Sequence, residues 1–368
     1  MIGRVPAPRK FAEFEPRRRA VLHLDAGRAL LVNAPMRASF PFPVFVCDTG
    51  GTNVRLALKS APDDPLGASV HLKTWDYAGL AEAIEAAAQK LGARPRSVIA
   101  CGAGPVDGRR LKLTNAPWLM DGPKVAAAVG IDQGLLLNDF EAQALSLPAM
   151  TEQWAKPIGP ARSFGAGPQV ILGPGTGLGI GALVNAAGRH TPLASEACHT
   201  DFGPINDEEA AIWPHLERVF GRITTESVMA GPGLVRLHAA RSAARGKPAE
   251  ALDGAAIVAR AHQNRSGEEA ATIALYWRII ARFAGDMGVT FVATGGVTLA
   301  GGVLPRVVDL IDETAFRAAF EAKAPVDALA RRIPTRLVTH PDAVLVGMAA
   351  IAAAPELYAI DYAARCWK

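Results

Sequence analysis

The organisation of the chain follows from one stretch, Val44-Phe-Val-Cys-Asp-Thr-Gly-Gly-Thr-Asn-Val-Arg-Leu-Ala-Leu58. An apolar run leads into Asp48, a Gly-Gly pair follows, and apolar residues then alternate with other residues. This pattern predicts a buried strand and its antiparallel partner, joined by a tight glycine turn. Because glycine carries no Cβ atom, the backbone N–H groups of such a turn could bind a phosphate. An ordinary glycine hairpin has the same pattern, so the stretch alone leaves both interpretations open.

Two side chains of this turn could act on a phosphate group. The carboxylate of Asp48 could hold Mg²⁺, usually through water, and the hydroxyl of Thr52 could donate to a phosphate oxygen. A second stretch of the same design, with Thr176 in its glycine turn, spans Val170–Val184. It is not followed by a helical pattern and contains no Gly-Lys-Ser/Thr, which disfavours a dinucleotide fold and excludes a P-loop. Two such hairpins predict two similarly built lobes, each offering a phosphate loop to the cleft between them.

Strand and helix patterns alternate along most of the chain. This alternation predicts an α/β fold with a largely buried sheet. The predicted helices and strands include the strand Gly134–Asp139, a helix over 205–222, the helices Gly254–Asn264, Gly267–Val289 and Val303–Ile311, the strand Arg332–Thr339 and the helix Ala343–Ala354.

Asn138 and Asp139 follow an apolar strand and precede a helical pattern. Ligand sites in open α/β sheets lie beyond the carboxyl ends of strands, which makes Asp139 a candidate functional residue. The competing interpretation is a helix N-cap, a role worth about 1 kcal/mol. A cap explains one polar residue but not a carboxylate that points off the end of a strand, so function is favoured for Asp139.

Further polar residues lie in the second half of the chain. Glu196 and His199 are close enough in sequence to converge on one polar ligand. Zinc bound by Cys198 and His199 is disfavoured, because no second Cys or His pair has ligand spacing. A Cys–His nucleophile pair is disfavoured too, because adjacent residues of an extended segment point to opposite faces; Cys198 is predicted to be a small buried apolar residue. Glu226 is either a first-turn or capping glutamate or a sugar ligand.

Length, composition and charge indicate a globular protein and give little reason to expect nucleic-acid binding. The chain has 368 residues, half of them hydrophobic and a fifth charged, which suits two ordinary globular domains. The net charge is +4, but residues 1–40 alone hold eight Lys or Arg against three Asp or Glu. The remainder gives no electrostatic reason to bind nucleic acid.

The basic stretch at 1–43 is broken by prolines and has no apolar core followed by a cleavage site, so a disordered leader is predicted rather than a targeting sequence. A start of translation at Met36 is a related hypothesis. Four widely spaced cysteines fit a reduced cytoplasmic protein, and no apolar run reaches the length of about 18–20 residues that a membrane span needs.

From about Val44 to Ala354 the chain resembles the bacterial glucokinase family of the hexokinase/actin-like superfamily. The resemblance rests on motifs that occur in family order: Asp48-Thr-Gly-Gly-Thr-Asn-x-Arg55, Leu113-Thr-Asn-x-x-Trp118, Leu137-Asn-Asp-Phe140, Gly173-Pro-Gly-Thr-Gly-Leu-Gly179, Glu196-x-x-His-x-Asp-Phe202, Glu226-x-x-x-x-Gly-Pro-Gly233, and Gly295-Gly296 followed by Ala300-Gly-Gly302-x-x-Pro-Arg306.

The resemblance implies a two-lobed actin-like ATPase fold of the ribonuclease H-like type. Its small α/β domain would span 44–149, with a C-terminal helix at about 341–368 packing back on it, and its large α/β domain would span 150–340. The implied reaction is transfer of the γ-phosphate of ATP to the 6-hydroxyl of glucose. The resemblance also implies a cytoplasmic homodimer that uses ATP and Mg²⁺, without zinc and without a nucleic-acid or membrane partner.

Roles for individual residues are implied by position in the family motifs. Asp139 would be the base that accepts the proton of the 6-hydroxyl. The residues implied to bind glucose hydroxyls are Asn138, Glu196, His199 and Glu226. The residues implied to bind ATP are Asp48, Thr49, Gly50, Gly51 and Thr52 in the first loop, Gly175, Thr176 and Gly177 in the second, and Gly301 and Gly302 at the adenosine, with Asp48 also on the Mg²⁺ side through water.

One motif departs from the family pattern, since the usual Glu-Gly-Gly-His is here Glu196-Ala-Cys-His199. The added Cβ atoms forbid some glycine conformations, which leaves the sugar range open. The related ROK kinases carry a Cys-rich zinc motif after this His, and its absence favours the zinc-free branch.

The alternatives are a kinase of another hexose or of an amino sugar, a kinase that uses polyphosphate, and a sugar-sensing regulator or a chaperone-type ATPase. A repressor would need a DNA-binding domain that forty proline-broken residues cannot supply.

Overall fold

The structure is a computed structural model that describes residues 39–160, 162–247 and 250–368. Most of the predicted leader, including Met36, lies outside the described residues. Of its last residues, Phe40 is buried and residues 41–43 are half-buried, so the disorder predicted for 1–43 was wrong for these residues. The ring of Phe40 is buried and lies edge-on to Tyr362, with 6.2 Å between the ring centroids.

The first half of the chain forms a five-stranded sheet and a small three-stranded sheet. Its strands are β1 (Val44–Thr49), β2 (Asn53–Lys59), β3 (Ser69–Lys73), β4 (Ser97–Gly102), β5 (Val106–Asp107), β6 (Arg110–Lys112), β7 (Leu119–Asp121) and β8 (Gln133–Asn138). The larger sheet has the order β3-β2-β1-β4-β8, in which β3, β2 and β1 are antiparallel and β1, β4 and β8 are parallel. Its register places Asp48 between Arg55 and Cys101.

The second half repeats this design in a six-stranded sheet. Its strands are β9 (Ala155–Pro157), β10 (Gln169–Pro174), β11 (Leu178–Ala186), β12 (Arg189–Ala194), β13 (Gly296–Leu299) and β14 (Thr335–Val338), in the order β12-β11-β10-β13-β14-β9. Again three antiparallel strands continue into two parallel ones, and β9 adds an antiparallel edge. The two predicted glycine hairpins are confirmed as β1–β2 and β10–β11.

Helices cover both sheets. They are α1 (Leu80–Leu91), α2 (Gly122–Val129), α3 (Asp139–Ser146), α4 (Asp207–Ile212), α5 (Thr225–Met229), α6 (Gly231–Ala244), α7 (Gly254–Gln263), α8 (Glu268–Thr290), α9 (Glu313–Glu321), α10 (Asp327–Arg332), α11 (Ala343–Ala353) and α12 (Tyr362–Arg365).

Two of these helices, α3 and α11, lie between the two sheets. One apolar cluster contains side chains of β1 and β8, of α3 and α11, and of β10 and β11. The outer face of the first sheet packs on α1 and α2, and the second sheet packs on α6, α8 and α9. The first turn of α3 is therefore held between the sheets, where the strands of both end. The assignment of 44–149 and 150–340 to separate domains stays a prediction.

Three predicted elements differ from the structure, each at a proline. The helix predicted over 205–222 ends at Ile212 and continues only as a 3₁₀ turn from Trp213, because Pro214 lacks the N–H that an α-helix needs. The helix predicted at Val303–Ile311 is a pair of 3₁₀ turns that contain Pro305. The last strand begins only after Pro334.

No helix in the described part of the chain is both long and apolar enough to cross a membrane. All four cysteines lie in that part and are free thiols.

Candidate active site

Asp139 is the first residue of α3, directly beyond β8. The cap of this helix is Asn138, whose Oδ1 accepts from the backbone N–H groups of Phe140 at 3.0 Å and Glu141 at 3.2 Å. The amide nitrogen of Asn138 donates to the carbonyl of Gly104 at 3.0 Å, which leaves one amide hydrogen for a ligand. The capping interpretation therefore applies to Asn138 and leaves the carboxylate of Asp139 free for another role.

The environment of Asp139 shifts its proton affinity. Burial raises the pKa of this carboxyl to about 6, an effect that the backbone N–H of Phe140 partly offsets and the Asp48 carboxylate reinforces. A carboxylate with a pKa near neutrality can hold and release a proton at the pH of a cell, as a general base must.

The first turn of α3 is fixed by contacts with distant parts of the chain. Arg365 of α12 donates to Glu141 Oε1 at 2.6 Å, while Glu141 Oε2 accepts from the backbone N–H of Asn138 at 3.3 Å. On the other side, the ring of Phe140 occupies the space beside Gly179, where an added Cβ atom would lie 1.8 Å from a ring carbon. Sequence reasoning missed Arg365, because 224 positions separate it from Glu141 and no motif contains it.

The four predicted sugar-binding residues line two neighbouring cavities. Asn138 and Glu196 border a cavity of about 350 Å³, together with Asp139. His199 and Glu226 border a cavity of about 310 Å³. His199 joins the two, because its Nε2 lies 3.4 Å from Glu196 Oε2 and its Nδ1 lies 4.0 Å from Glu226 Oε1.

Glu226 lies in the first turn of α5 without capping it. The cap is Thr224, which forms a reciprocal pair with Ser227. Glu226 Oε2 instead accepts from the backbone N–H of Leu178 at 2.9 Å, at the start of β11. This contact ties α5 to the second hairpin and leaves Oε1 facing His199.

The turn from Ala197 to His199 is a 3₁₀ turn and not the extended segment on which the sequence argument against a Cys–His pair relied. That argument was therefore wrong in its premise. The thiol of Cys198 is nevertheless buried, as predicted, while His199 is exposed. Burial, followed by the nearby carboxylates, raises the pKa of Cys198 to about 12, so the thiol is protonated at neutral pH.

In the first hairpin, Asp48 forms an ion pair with Arg55 and accepts from the Cys101 thiol at 3.4 Å. The side chain of Thr49 is buried, and its hydroxyl donates to the carbonyl of Cys101. The ATP-binding role that the resemblance implies for Thr49 must therefore be limited to its backbone. Thr52 is exposed, so its hydroxyl remains free to meet a ligand.

Close backbone contacts shape the second hairpin. The N–H of Gly175 donates to the carbonyl of Gly177 at 2.7 Å, and the N–H of Gly231, at the start of α6, donates to the carbonyl of Gly175 at 2.8 Å. Thr176 is thereby left exposed at the tip of the turn. Gly301 has a φ of +86°, and an added Cβ atom would lie 2.3 Å from the carbonyl oxygen of Pro174, so only glycine fits there.

Two more cavities lie near this glycine pair, and Arg306 borders both. Asp48 and Arg55 share a cavity of about 360 Å³ with Gly301 and Gly302. Beside it, a mostly apolar cavity of about 750 Å³ is lined by the first residues of α6 and α7 and by Val303.

The fold and the site together define a class. Two similarly built sheets carry glycine hairpins, and a base-like carboxylate stands beside a cavity rich in hydroxyl-binding groups. This is the arrangement of a two-lobed α/β kinase acting on a small polyhydroxy substrate.

Comparisons with known proteins narrow the class. Residues 45–355 match the family model described as Glucokinase. The glucokinase of Sinorhizobium medicae (strain WSM419) is 39% identical over 331 residues, which cover 90% of this chain and 98% of that protein. The crystal structure of a glucokinase from an Antarctic psychrotroph superposes with a TM-score of 0.76 at 28% identity, covering 84% of this chain and 98% of that one. The chain belongs to the glucokinase family.

A more distant structure agrees in fold. The glucokinase of Balamuthia mandrillaris in complex with glucose superposes with a TM-score of 0.69 at 23% identity, over 84% of this chain and 93% of that one. The predicted actin-like fold with two lobes is thereby confirmed, and family membership makes the chain an ATP-dependent hexose kinase.

Proposed function

We propose that the chain transfers the γ-phosphate of ATP to the 6-hydroxyl of glucose, with Asp139 as the base. The observation that carries the proposal is the largely buried carboxylate of Asp139, which has a pKa of about 6 and borders the same cavity as Asn138 and Glu196. Its place directly beyond β8, in a polar cavity, is where the ligand site of an α/β sheet is expected.

Glucose is held in this proposal by Asn138, Glu196, His199 and Glu226. Carboxylate oxygens accept hydrogen bonds from hydroxyls, and the free amide hydrogen of Asn138 donates one. His199 bridges the two carboxylates, so that the two cavities form one site around the sugar. Hydrogen-bonding groups in fixed positions can distinguish one hexose from another, because hexoses differ mainly in the orientation of their hydroxyls.

ATP is bound in this proposal along the glycine hairpins. The turns at 48–52 and 175–177 present backbone N–H groups and the hydroxyls of Thr52 and Thr176 to the phosphates. The adenosine lies at Gly301 and Gly302, near the apolar cavity that the next residue, Val303, borders and whose size suits a nucleoside.

Mg²⁺ belongs to the proposal on the side of Asp48. Both oxygens of this carboxylate already have partners in Arg55 and Cys101, which fits contact with the ion through water rather than direct ligation. When bound, Mg²⁺ would neutralise phosphate charge. Zinc has no part in the reaction proposed.

Catalysis follows mainly from positioning. The carboxylate of Asp139 accepts the proton of the 6-hydroxyl as this oxygen attacks the γ-phosphorus, while the glycine turns hold the transferred group in line. Closure of the two lobes excludes water, which would otherwise accept the phosphoryl group. A cytoplasmic homodimer is the setting proposed for this activity, and sedimentation would test the dimer.

A coupled assay across sugars and phosphoryl donors tests the proposal. We expect turnover with glucose and ATP to exceed turnover with mannose, with glucosamine and with polyphosphate. If another sugar or polyphosphate is preferred, the proposed substrate or phosphoryl donor is wrong, while the proposed site residues still stand. Binding of glucose without turnover under any donor would favour the sugar-sensing regulator and refute the proposed reaction.

A further inference from the structure

The turn at residues 196–199 brings three different metal-binding atoms together. Glu196 Oε2 lies 3.4 Å from His199 Nε2 and 3.8 Å from the Sγ atom of Cys198. All three atoms lie within 4.8 Å of one another. The thiol stands at a position where the resembled motif has glycine, so the common sugar-binding role of the turn does not explain it.

These distances match a known coordination geometry. In tetrahedral zinc sites the metal–ligand distances of about 2.0–2.3 Å place neighbouring ligand atoms about 3.3–3.6 Å apart. The carboxylate–imidazole distance of 3.4 Å lies in this range, and the carboxylate–thiol distance of 3.8 Å is slightly longer. The thiol lies within 4.8 Å of the imidazole, so the side chains must draw closer around a bound ion. Sulfur together with imidazole also suits Zn²⁺ and Cd²⁺ better than Mg²⁺.

The backbone of the turn is fixed in place. The hydroxyl of Thr225 lies 3.0 Å from the carbonyl oxygen of Ala197 and 2.5 Å from that of Cys198, and its one hydrogen, donated to these carbonyls, ties the turn to α5. The N–H of His199 donates to the carbonyl of Glu196 at 3.0 Å. The backbone that carries the three ligand residues is thus held by hydrogen bonds.

A second carboxylate lies near the imidazole of His199. Its Nδ1 is 4.0 Å from Glu226 Oε1, so a small movement would form the hydrogen bond that usually orients a metal-binding imidazole and would leave Nε2 for the metal. The carboxylates of Glu196 and Glu226 make the surroundings of Cys198 negative, which favours a cation there.

We propose that this turn binds Zn²⁺ through Glu196, Cys198 and His199, and that the bound ion excludes the sugar. Water fills the fourth position, and the thiol releases its proton to solvent when sulfur binds the metal. The ion is a competitive inhibitor and not a cofactor. The exclusion of sugar rests on the proposed function, because Glu196 and His199 would then serve both ligands.

Cadmium titration of the full-length protein tests the ion site directly, because a thiolate bound to Cd²⁺ gives an ultraviolet charge-transfer band. We expect the band in the wild type and its loss in Cys198→Ser, with affinity weakened at least about 100-fold, since loss of an outer partner alone costs about 10- to 100-fold. Cys366→Ser is the matched control, because this half-buried thiol lies outside the cluster. An unchanged band in Cys198→Ser, or loss of the band in Cys366→Ser alone, would overturn the site.

Competition tests the second half of the proposal. Glucose binding is first measured calorimetrically without metal, and then at rising Zn²⁺. We expect Zn²⁺ to raise the apparent dissociation constant of glucose in the wild type and in Cys366→Ser, but not in Cys198→Gly. If glucose binds without metal and Zn²⁺ has no effect, the inference fails and the proposed function stands. If glucose does not bind at all, the proposed sugar site fails, and the cadmium band still decides whether the ion site exists.

Discussion

Among single side chains, Asp139 is subject to two opposing effects on its pKa. A carboxylate that loses water contacts on folding resists ionisation, so burial raises its pKa towards the working pH. The N–H groups at the start of α3 limit this shift, because they favour the ionised form. The resulting balance suits a group that must be ionised before the sugar reacts and protonated just after.

The rate should therefore depend on pH with a defined sign. Because the pKa of Asp139 is raised to about 6, the base is ionised above that pH and protonated below it. We expect kcat/KM for glucose to be level above about pH 7 and to fall about tenfold per pH unit below about 6. Steady-state kinetics from pH 5 to 8 would show this, with thermal melts at each pH to exclude unfolding. A value of kcat/KM that stays level down to pH 5 would contradict it.

At the level of secondary-structure elements, the first turn of α3 depends on groups far away in sequence. Asn138 caps the helix, Glu141 closes the capping box, and Arg365 holds Glu141 from the end of the chain. The short helix α12 thus supports the first turn of α3 through Arg365, which also borders the cavity of Asp139.

Loss of Arg365 should affect both turnover and stability. We expect Arg365→Ala to lower kcat about tenfold, since a displacement of about 1 Å can cost about 100-fold. The free energy of unfolding should fall by about 1–3 kcal/mol, because the partly buried carboxylate of Glu141 loses its partner. Arg365→Lys should recover part of kcat, because it keeps a charge near Glu141. Kinetics and thermal melts check both variants, with the surface ion pair of Arg94 and Glu85 as control through Arg94→Ala. An unchanged kcat in Arg365→Ala would refute the positioning role.

The contact between α3 and β11 gives a second prediction. A methyl group at position 179 would overlap the ring of Phe140, so Gly179→Ala must push α3 away from the sheet. We expect destabilisation of about 1–3 kcal/mol together with a reduced kcat. Gly203→Ala is the matched control, because an added Cβ atom there meets nothing within 4 Å. Equal denaturation midpoints for the two variants would show that the contact is unimportant.

For the molecule as a whole, local patterns predicted much of the architecture. The two glycine hairpins lie within short stretches whose alternation and turns are visible in sequence, and both form in the structure. The same holds for the placement of Asp139 beyond β8, because strand ends follow from the apolar pattern. Glu226 could not be assigned in this way, since its partner Leu178 lies 48 positions away.

Contacts across the fold could not be read from sequence. Three such contacts depend on how separate elements pack. They are the burial of the Thr49 hydroxyl, the ion pair of Asp48 with Arg55, and the contact of the Phe140 ring with Gly179. The turn at 197–199 was misjudged because three residues are too few to show a period. Prolines 214, 305 and 334 shortened elements that apolar spacing alone predicted to be longer.

The substitution Asp139→Asn separates chemistry from binding. It keeps the size of the side chain and removes its ability to accept the proton of the 6-hydroxyl. Turnover of the variant in the coupled glucose–ATP assay, measured beside calorimetric binding of glucose, is the measurement to make, with Asp63→Asn on the exposed surface as control. We expect kcat to fall by about 10²- to 10⁴-fold while glucose still binds with a modest loss of affinity. A kcat within tenfold of the wild type would remove Asp139 from the role of base.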